Sequence, residues 1–423
     1  MKIDLQTTAL VALLVLGGAV PVLAQEAPPG AQLEELLTLA RQANPDLAAR
    51  RFEADANAAK VLPAGALPDP RLRVELMDIT RQGAQNPTLW PSDVGQTKYT
   101  LIQTLPWFGK LGLKQDMTEQ LAQASQSNVQ ITWLDIAGRI KVLQAQRYFL
   151  HQSIKLNSEL VELVTPLEQV AQVRYAGGLS PQQDAIRAQV ELTRLQTELA
   201  AFNGAYAQAN ARLNALLARP AQLALAAPQP LKGLSEASKL DAATLAERVQ
   251  RNNPQLFAEQ ARIRAAELSR DLTFKNRYPD FTLALAPTQK GTTISEWGLM
   301  LELNIPLQQG TRRAQEAQAL AELEAVRARQ AALANKLLAD LSDNLAALSA
   351  AQDTEKLVAN SLLPQAQLTF QAALAGYENG KLNFATLMDA QRQLSQARQS
   401  QLKAQLDAQV RLADIEKLLG ETL

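Results

Sequence analysis

The stretch YENGKLN, residues 377–383, breaks what otherwise reads as one very long helix. From Thr311 the chain is rich in Ala, Leu, Gln and Glu with almost no helix breaker, and the same texture resumes from Phe384 to Leu419. A second stretch, YAGGLSP at 175–181, carries the same Tyr-x-x-Gly pattern 202 residues earlier. A break that recurs in register is the signature of an internal repeat.

Working outward, the punctuation matches on both sides of each turn. Asn-Pro helix starts stand at Pro45 and Pro254, and each is followed 25 residues later by another proline, Pro70 or Pro279. Each of these opens a short alternating run, RLRVELM (71–77) or DFTLALA (280–286). A second alternating run ends at Pro106 in one half and Pro306 in the other. Gly109 and Gly310 then open the long helices, 66 residues before Tyr175 and 67 before Tyr377. Chance likeness among Ala/Gln-rich helices would not keep Pro, Gly and Tyr aligned over such a length. The chain therefore divides into residues 1–24, a first repeat at 25–218, a Pro-rich linker at 219–240 and a second repeat at 241–423. Each repeat is expected to read helix, strand, strand, long helix, turn, helix. The strands fall at about 71–78, 96–105, 280–286 and 295–305, and the helices at 110–175, 181–218, 311–376 and 383–419.

Composition removes most chemistry. The chain has 42 basic and 42 acidic residues, one His and no Cys. A balanced charge gives no reason to bind nucleic acid, and the missing Cys excludes disulfides, thiolate metal sites and a lipoprotein anchor. His151 reads as a surface or packing residue, and no cofactor or metal site is expected. Lys2, an apolar run and small residues up to Ala24 form the pattern of a cleaved secretory signal.

The strands show a period of two. Leu72, Val74 and Leu76 oppose Arg71, Arg73 and Glu75, while Trp297, Leu299, Leu301, Leu303 and Ile305 oppose Glu296, Met300 and Glu302. Phe281 and Leu283 share a face, as do Tyr99 and Leu101. Either helices cover one side of an ordinary sheet, or these are barrel strands with lipid outside and water within. Four strands cannot close a membrane barrel, which takes about eight, so a barrel would have to be shared among chains. The helices favour sharing: residues 110–174 as continuous helix span about 98 Å at 1.5 Å per residue. Two apolar stripes on that helix would let it touch neighbours on both sides, as in a cylinder wall. Aromatic residues make up only 4% of the chain and small residues dominate the helices, which suits a polar-lined tube better than a solid bundle.

With these features together, the chain resembles the TolC family of outer-membrane efflux proteins over about Leu33 to Gly420. The duplicated layout, the Asn-Pro starts, the QTLPWFGK exit of the second strand (103–110) and the Tyr-x-x-Gly turns carry the resemblance. It implies a mainly α chain with a membrane β-barrel: a homotrimer closing one twelve-stranded barrel in outer-membrane lipid above a periplasmic α-helical tunnel. It also implies a passive duct working with a periplasmic adaptor and an inner-membrane pump. The turns at Tyr175, Gly178 and Gly380 become the periplasmic tips where the adaptor docks. Acidic residues six and nine positions after the second-repeat Gly often ring the closed aperture in this family; here those positions hold Thr386 and Asp389, so one acid ring is implied. Asp184 corresponds in the first repeat, with a contact to Tyr377 that keeps the hairpins closed. Trp297, Leu299, Leu301, Phe281, Leu283 and Tyr99 become barrel exterior. The ALPDPRL (66–72) and PWFGKL (106–111) segments look most like CzcC- and CusC-like members serving heavy-metal pumps. Copper, zinc, cobalt or cadmium are then the expected cargo. Multidrug efflux and type I secretion stay open, as do a soluble periplasmic scaffold and an exported enzyme, although only scattered carboxylates could serve the latter.

Overall fold

A computed structural model describes residues 28–80, 87–231 and 241–423; the expected signal at 1–24 and part of the linker lie outside them. The first half runs through α1 (Leu33–Ala43), α2 (Pro45–Ala59), α3 (Val61–Gly65), β1 (Arg71–Met77), β2 (Gln96–Leu105), α4 (Lys110–Ala176) and α5 (Gln182–Leu216). The second runs through α6 (Ala242–Asn252), α7 (Pro254–Lys275), β3 (Phe281–Lys290), β4 (Thr293–Leu303), α8 (Gln309–Leu357), a π turn (Val358–Leu362), α9 (Leu363–Glu378) and α10 (Phe384–Leu419).

The Asn-Pro starts are joints rather than mere beginnings. Asn44 caps α2 by accepting the Leu47 N–H at 3.1 Å, and Pro45 occupies the first turn, where no N–H is needed. The same side chain donates its amide to the Leu216 carbonyl at 2.9 Å, tying the start of the half to the last turn of α5. Asn253 repeats both acts: it accepts from Gln255 N at 2.8 Å and donates to Leu418 O at 2.8 Å. The preceding short helices α1 and α6 fold back onto these joints, burying Leu36, Leu47, Ile136, Ile140 and Leu213 in one cluster. Leu245, Val249, Leu341, Ile415 and Leu419 form its counterpart.

The four strands form one antiparallel meander in the order β1-β2-β3-β4. Register places Leu72, Leu101, Leu285 and Leu299 in one row across all four strands. Leu283 and Leu301 pair beside it, Phe281 faces Leu303, and Tyr99 faces Val74. This apolar face is open: Leu299 is 80% exposed and Trp297 67%. Helices do not cover it, so the reading as an ordinary buried sheet fails. The opposite face carries Arg71, Arg73, Glu75, Thr100, Glu296 and Glu302, together with the buried Ala284. β3 runs four residues past its expected end because Pro287 stays in the ladder opposite Trp297, next to a register shift at Thr288/Gln289. A proline within a strand is tolerated beside such an irregularity. β4 begins at Thr293 and stops at Leu303, two residues earlier at each end than expected.

Strand and helix meet through the Trp-Phe-Gly-Lys segment. Trp107 stacks on Tyr278 at 5.0 Å and on Phe281 at 5.4 Å, while Asp280 accepts both the Trp107 N–H and the Lys110 ammonium at 2.8 Å. This fixes the exit of β2 against the entry of β3. α4 then runs 67 residues, about 100 Å, and packs on α2, α5, α7 and α10.

Asn44→Ala and Asn253→Ala remove a cap and a long-range hydrogen bond at once. Each is expected to cost about 1–3 kcal/mol, with the two costs adding because the joints are separate. Chemical denaturation of the single and double variants checks this.

Candidate functional site

The two tips are built by the same backbone device. At the end of α4, Leu179 N bonds Arg174 O at 2.8 Å and Gly178 N bonds Tyr175 O at 2.9 Å; after α9, Lys381 N bonds Gly376 O at 2.8 Å and Gly380 N bonds Tyr377 O at 3.0 Å. This paired closure requires a left-handed residue, and Gly178 (φ +73°) and Gly380 (φ +69°) supply it. No atom lies within 4 Å of a Cβ built at either position, so conformation alone selects glycine there.

The duplicated tyrosines have diverged. Tyr175 is 44% exposed, whereas Tyr377 is 9% exposed, packed edge-on to Phe384 at 5.6 Å and lying under the Arg174 guanidinium at 5.4 Å. Around Tyr377 sit Ala171, Ala188, Ala373, Phe384, Leu387 and Met388, so α4, α5, α9 and α10 meet in one small cluster. The alanines let the helices approach closely. Asp184 lies in the first turn of α5, where a helix N-terminus favours a negative charge. It shares no hydrogen bond with Tyr377 within the chain: Arg174, reaching across from α4, is the partner of that ring instead.

Thr386 and Asp389 stand on one exposed edge of α10, three residues apart. The Thr386 hydroxyl is committed to the helix start, for Asn383 Oδ1 accepts both it and the Thr386 N–H at 2.9 Å. Asp389 is free of the cap and its side chain is 65% exposed, paired with Arg392 at 3.3 Å. Among the described residues no group of three or more acidic or His side chains is placed to hold a metal ion.

A buried carboxylate joins the two hairpins near the tip. Glu191 of α5 has a side chain with no exposure, and two arginines hold it: Arg194 one turn along at 2.6 Å, and Arg392 of α10 at 2.8 Å. Arg194 also pairs with Glu198. The Glu191–Arg194 spacing is visible in sequence, but Arg392 lies 201 residues away, so only the fold brings the two hairpins together here. Burial alone would raise the Glu191 pKa; the hydrogen bonds from Arg194 and then Arg392 outweigh it and hold the carboxyl below its ordinary value.

These features define a long helical duct ending in paired turns and topped by a sheet with an open apolar face. The chain belongs to the outer membrane efflux protein family, whose model matches it in two stretches, residues 36–219 and 245–421. It is an outer-membrane efflux channel and not an enzyme, which removes the soluble-scaffold and exported-enzyme readings. It is 26% identical to the cobalt-zinc-cadmium resistance protein CzcC of Cupriavidus metallidurans, over 90% of this chain and 87% of that one. It is 25% identical to the pyoverdine export outer membrane protein OpmQ of Pseudomonas putida, over 92% and 86%. The crystal structure of CusC has the same fold, with a TM-score of 0.79 at 18% identity, covering 95% of this chain and 96% of that chain.

Two outcomes are expected at the tip. Gly178→Ala and Gly380→Ala should each weaken their turn by about 1–2 kcal/mol, with Asn milder, read as faster hydrogen exchange at residues 177–183 or 379–386. The depressed Glu191 pKa gives a link that is complete above the ordinary carboxylate range and is lost as pH falls through the lowered value. Facing charges are Arg194 and Glu198 on α5 and Arg392 and Asp389 on α10. Exchange at the start of α10, corrected for intrinsic rates, should therefore be flat above the ordinary carboxylate range and rise only as pH falls below it.

Proposed function

We propose that three copies of this chain close one twelve-stranded barrel and that the assembly is the exit duct of a tripartite efflux system for heavy-metal cations. The observation that carries the shared barrel is the sheet itself. Within the chain, β1 and β4 each keep an unpaired outer edge beside an open apolar face. In a bilayer such edges have to be paired, and identical copies can pair β4 of one with β1 of the next. Arg71, Glu75, Glu296 and Glu302 then line a hydrated lumen, and Trp297, Leu299, Leu301, Phe281, Leu283 and Tyr99 meet lipid. The expected secretory signal at residues 1–24 would deliver the chain for this.

The tips at Tyr175, Gly178 and Gly380 point away from the barrel, the position in which a periplasmic adaptor would meet the duct and link it to an inner-membrane pump. Three Asp389 carboxylates would converge at the aperture and attract cations at close quarters. Cation cargo is supported by the CzcC likeness together with this carboxylate; the likeness to OpmQ makes pyoverdine export the competing reading.

Deletion of the gene should sensitise its host to cobalt, zinc, cadmium or copper and leave pyoverdine export intact. The reverse pattern would replace the metal reading with the second one. Detergent extracts of the outer membrane should contain a trimer, and a monomer would overturn the shared barrel. In planar bilayers Asp389→Asn should abolish block by divalent cations; unchanged block removes Asp389 from the aperture.

A further inference from the structure

We propose that each chain carries a site for one anionic phospholipid where the sheet hands over to α4: an apolar groove takes an acyl chain and the Lys275 ammonium takes the phosphate. The inference rests on the reading of the open sheet face as facing lipid. Leu67, Leu105, Trp107, Phe108, Leu111 and Phe281 line a groove of about 290 Å³ at the end of β2 and the start of β3. Leu105 pairs with Phe281, and Phe281 with Leu303, so the groove begins at the last row of the apolar face and continues it. Trp107 closes the back, held by its stacking on Tyr278 and Phe281. Phe108 is 80% exposed and Leu67 52%, so hydrocarbon at the mouth stands uncovered by the chain. The groove lies beneath β2 and β3, the two inner strands. Copies that join through β4 and β1 meet elsewhere and leave it open to the surrounding membrane.

A cation stands at the wall of this groove. Lys275, in the last turn of α7, donates to the Phe108 carbonyl at 3.3 Å and lies over Gly109, where a Cβ would collide with its ammonium. Among the described residues it has no carboxylate partner, for Asp280, the acid of the junction, is taken by Lys110 and by the Trp107 N–H. Asp69, two residues past Leu67, is the one acid on its loop and is exposed, so water screens it. An ammonium with donors to spare beside bare hydrocarbon matches one chemistry, a phosphate joined to an acyl chain. A soluble anion leaves the groove empty, and a neutral lipid leaves the ammonium unpaired. A zwitterionic headgroup carries its own cation beside its phosphate and gains less. The lipid that merely coats the rest of the sheet needs no such match, so a fixed number per chain and a headgroup preference mark the site.

The test uses the full-length oligomer, stripped of lipid in a mild detergent and titrated with dioleoylphosphatidylglycerol or dioleoylphosphatidylcholine. Native mass spectra count the lipids retained. The parent should saturate at one phosphatidylglycerol per chain and bind it about fivefold more tightly than phosphatidylcholine, the factor that one lysine supplies near a membrane surface. Lys275→Gln should lower phosphatidylglycerol to the level of phosphatidylcholine and leave the latter unchanged. Phe108→Ser, at an exposed position that the fold does not need, should weaken both lipids and keep their ratio. Lys336→Gln, an exposed lysine on α8, should change neither.

Equal binding of the two lipids by the parent, or a preference that survives Lys275→Gln, overturns the site. So does a Phe108→Ser oligomer that holds both lipids as the parent does. A membrane-extracted trimer that retains lipid without preference removes the site alone and leaves the lipid-facing sheet standing. Recovery of the protein from water without detergent removes that sheet reading, and the site with it.

Discussion

A backbone amide inside a bilayer has no water to turn to, and the whole molecule is arranged around that constraint. One chain supplies a four-stranded sheet that is apolar on one side, hydrated on the other and unfinished at both edges. The sheet cannot be completed by the helices, for they leave its apolar face bare. Closure by further copies would force the helices into a ring: β2 hands its chain to a rod of about 100 Å through a short junction, where Trp107, Lys110 and Asp280 lock direction. A duct follows from a sheet that cannot close alone.

Much of this was legible in the residues. Alternation showed which side of each strand is apolar, and the observed register confirms that the four stripes fall on one face. Proline, glycine and tyrosine spacing located the turns. Less could be read where a feature depends on partners far apart in the chain. The Glu191–Arg392 bond joins residues 201 apart, and no local pattern distinguishes that glutamate from those on solvated helix faces. Asn383 was within reach, since Asn-x-x-Thr ahead of an apolar run is a helix-start pattern, and Thr386 serves that cap.

The unequal spacing in the two halves also has a structural counterpart. Gly310 to Tyr377 is one residue longer than Gly109 to Tyr175, and a π turn at Val358–Leu362 is a one-residue insertion into a helix. It sits just before Pro364, which has no N–H to give the Asn360 carbonyl. Leu363 N instead bonds Val358 O. The extra residue is absorbed where the helix already has to forgo a hydrogen bond, so the turn beyond it keeps the same closing device as its counterpart at Tyr175.

Cohesion is unevenly spread along the rod. The two Asn-Pro joints each have a cluster of large aliphatic side chains and a side-chain amide that grips a distant helix end. The sheet has its ladder. At the tip, alanines replace leucines in half of the cluster, so dispersion and apolar burial there are small. Beside that small apolar cluster, two polar contacts join the hairpins, Arg174 over the Tyr377 ring and Arg392 on the buried Glu191 carboxylate. Such contacts are directional: they hold fully in one geometry and fade within a short displacement, whereas a greasy interface would slide. A tip held by such contacts, with the rigid parts elsewhere, can part without disturbing the rest of the rod. The distribution of side chains along the chain matches that division.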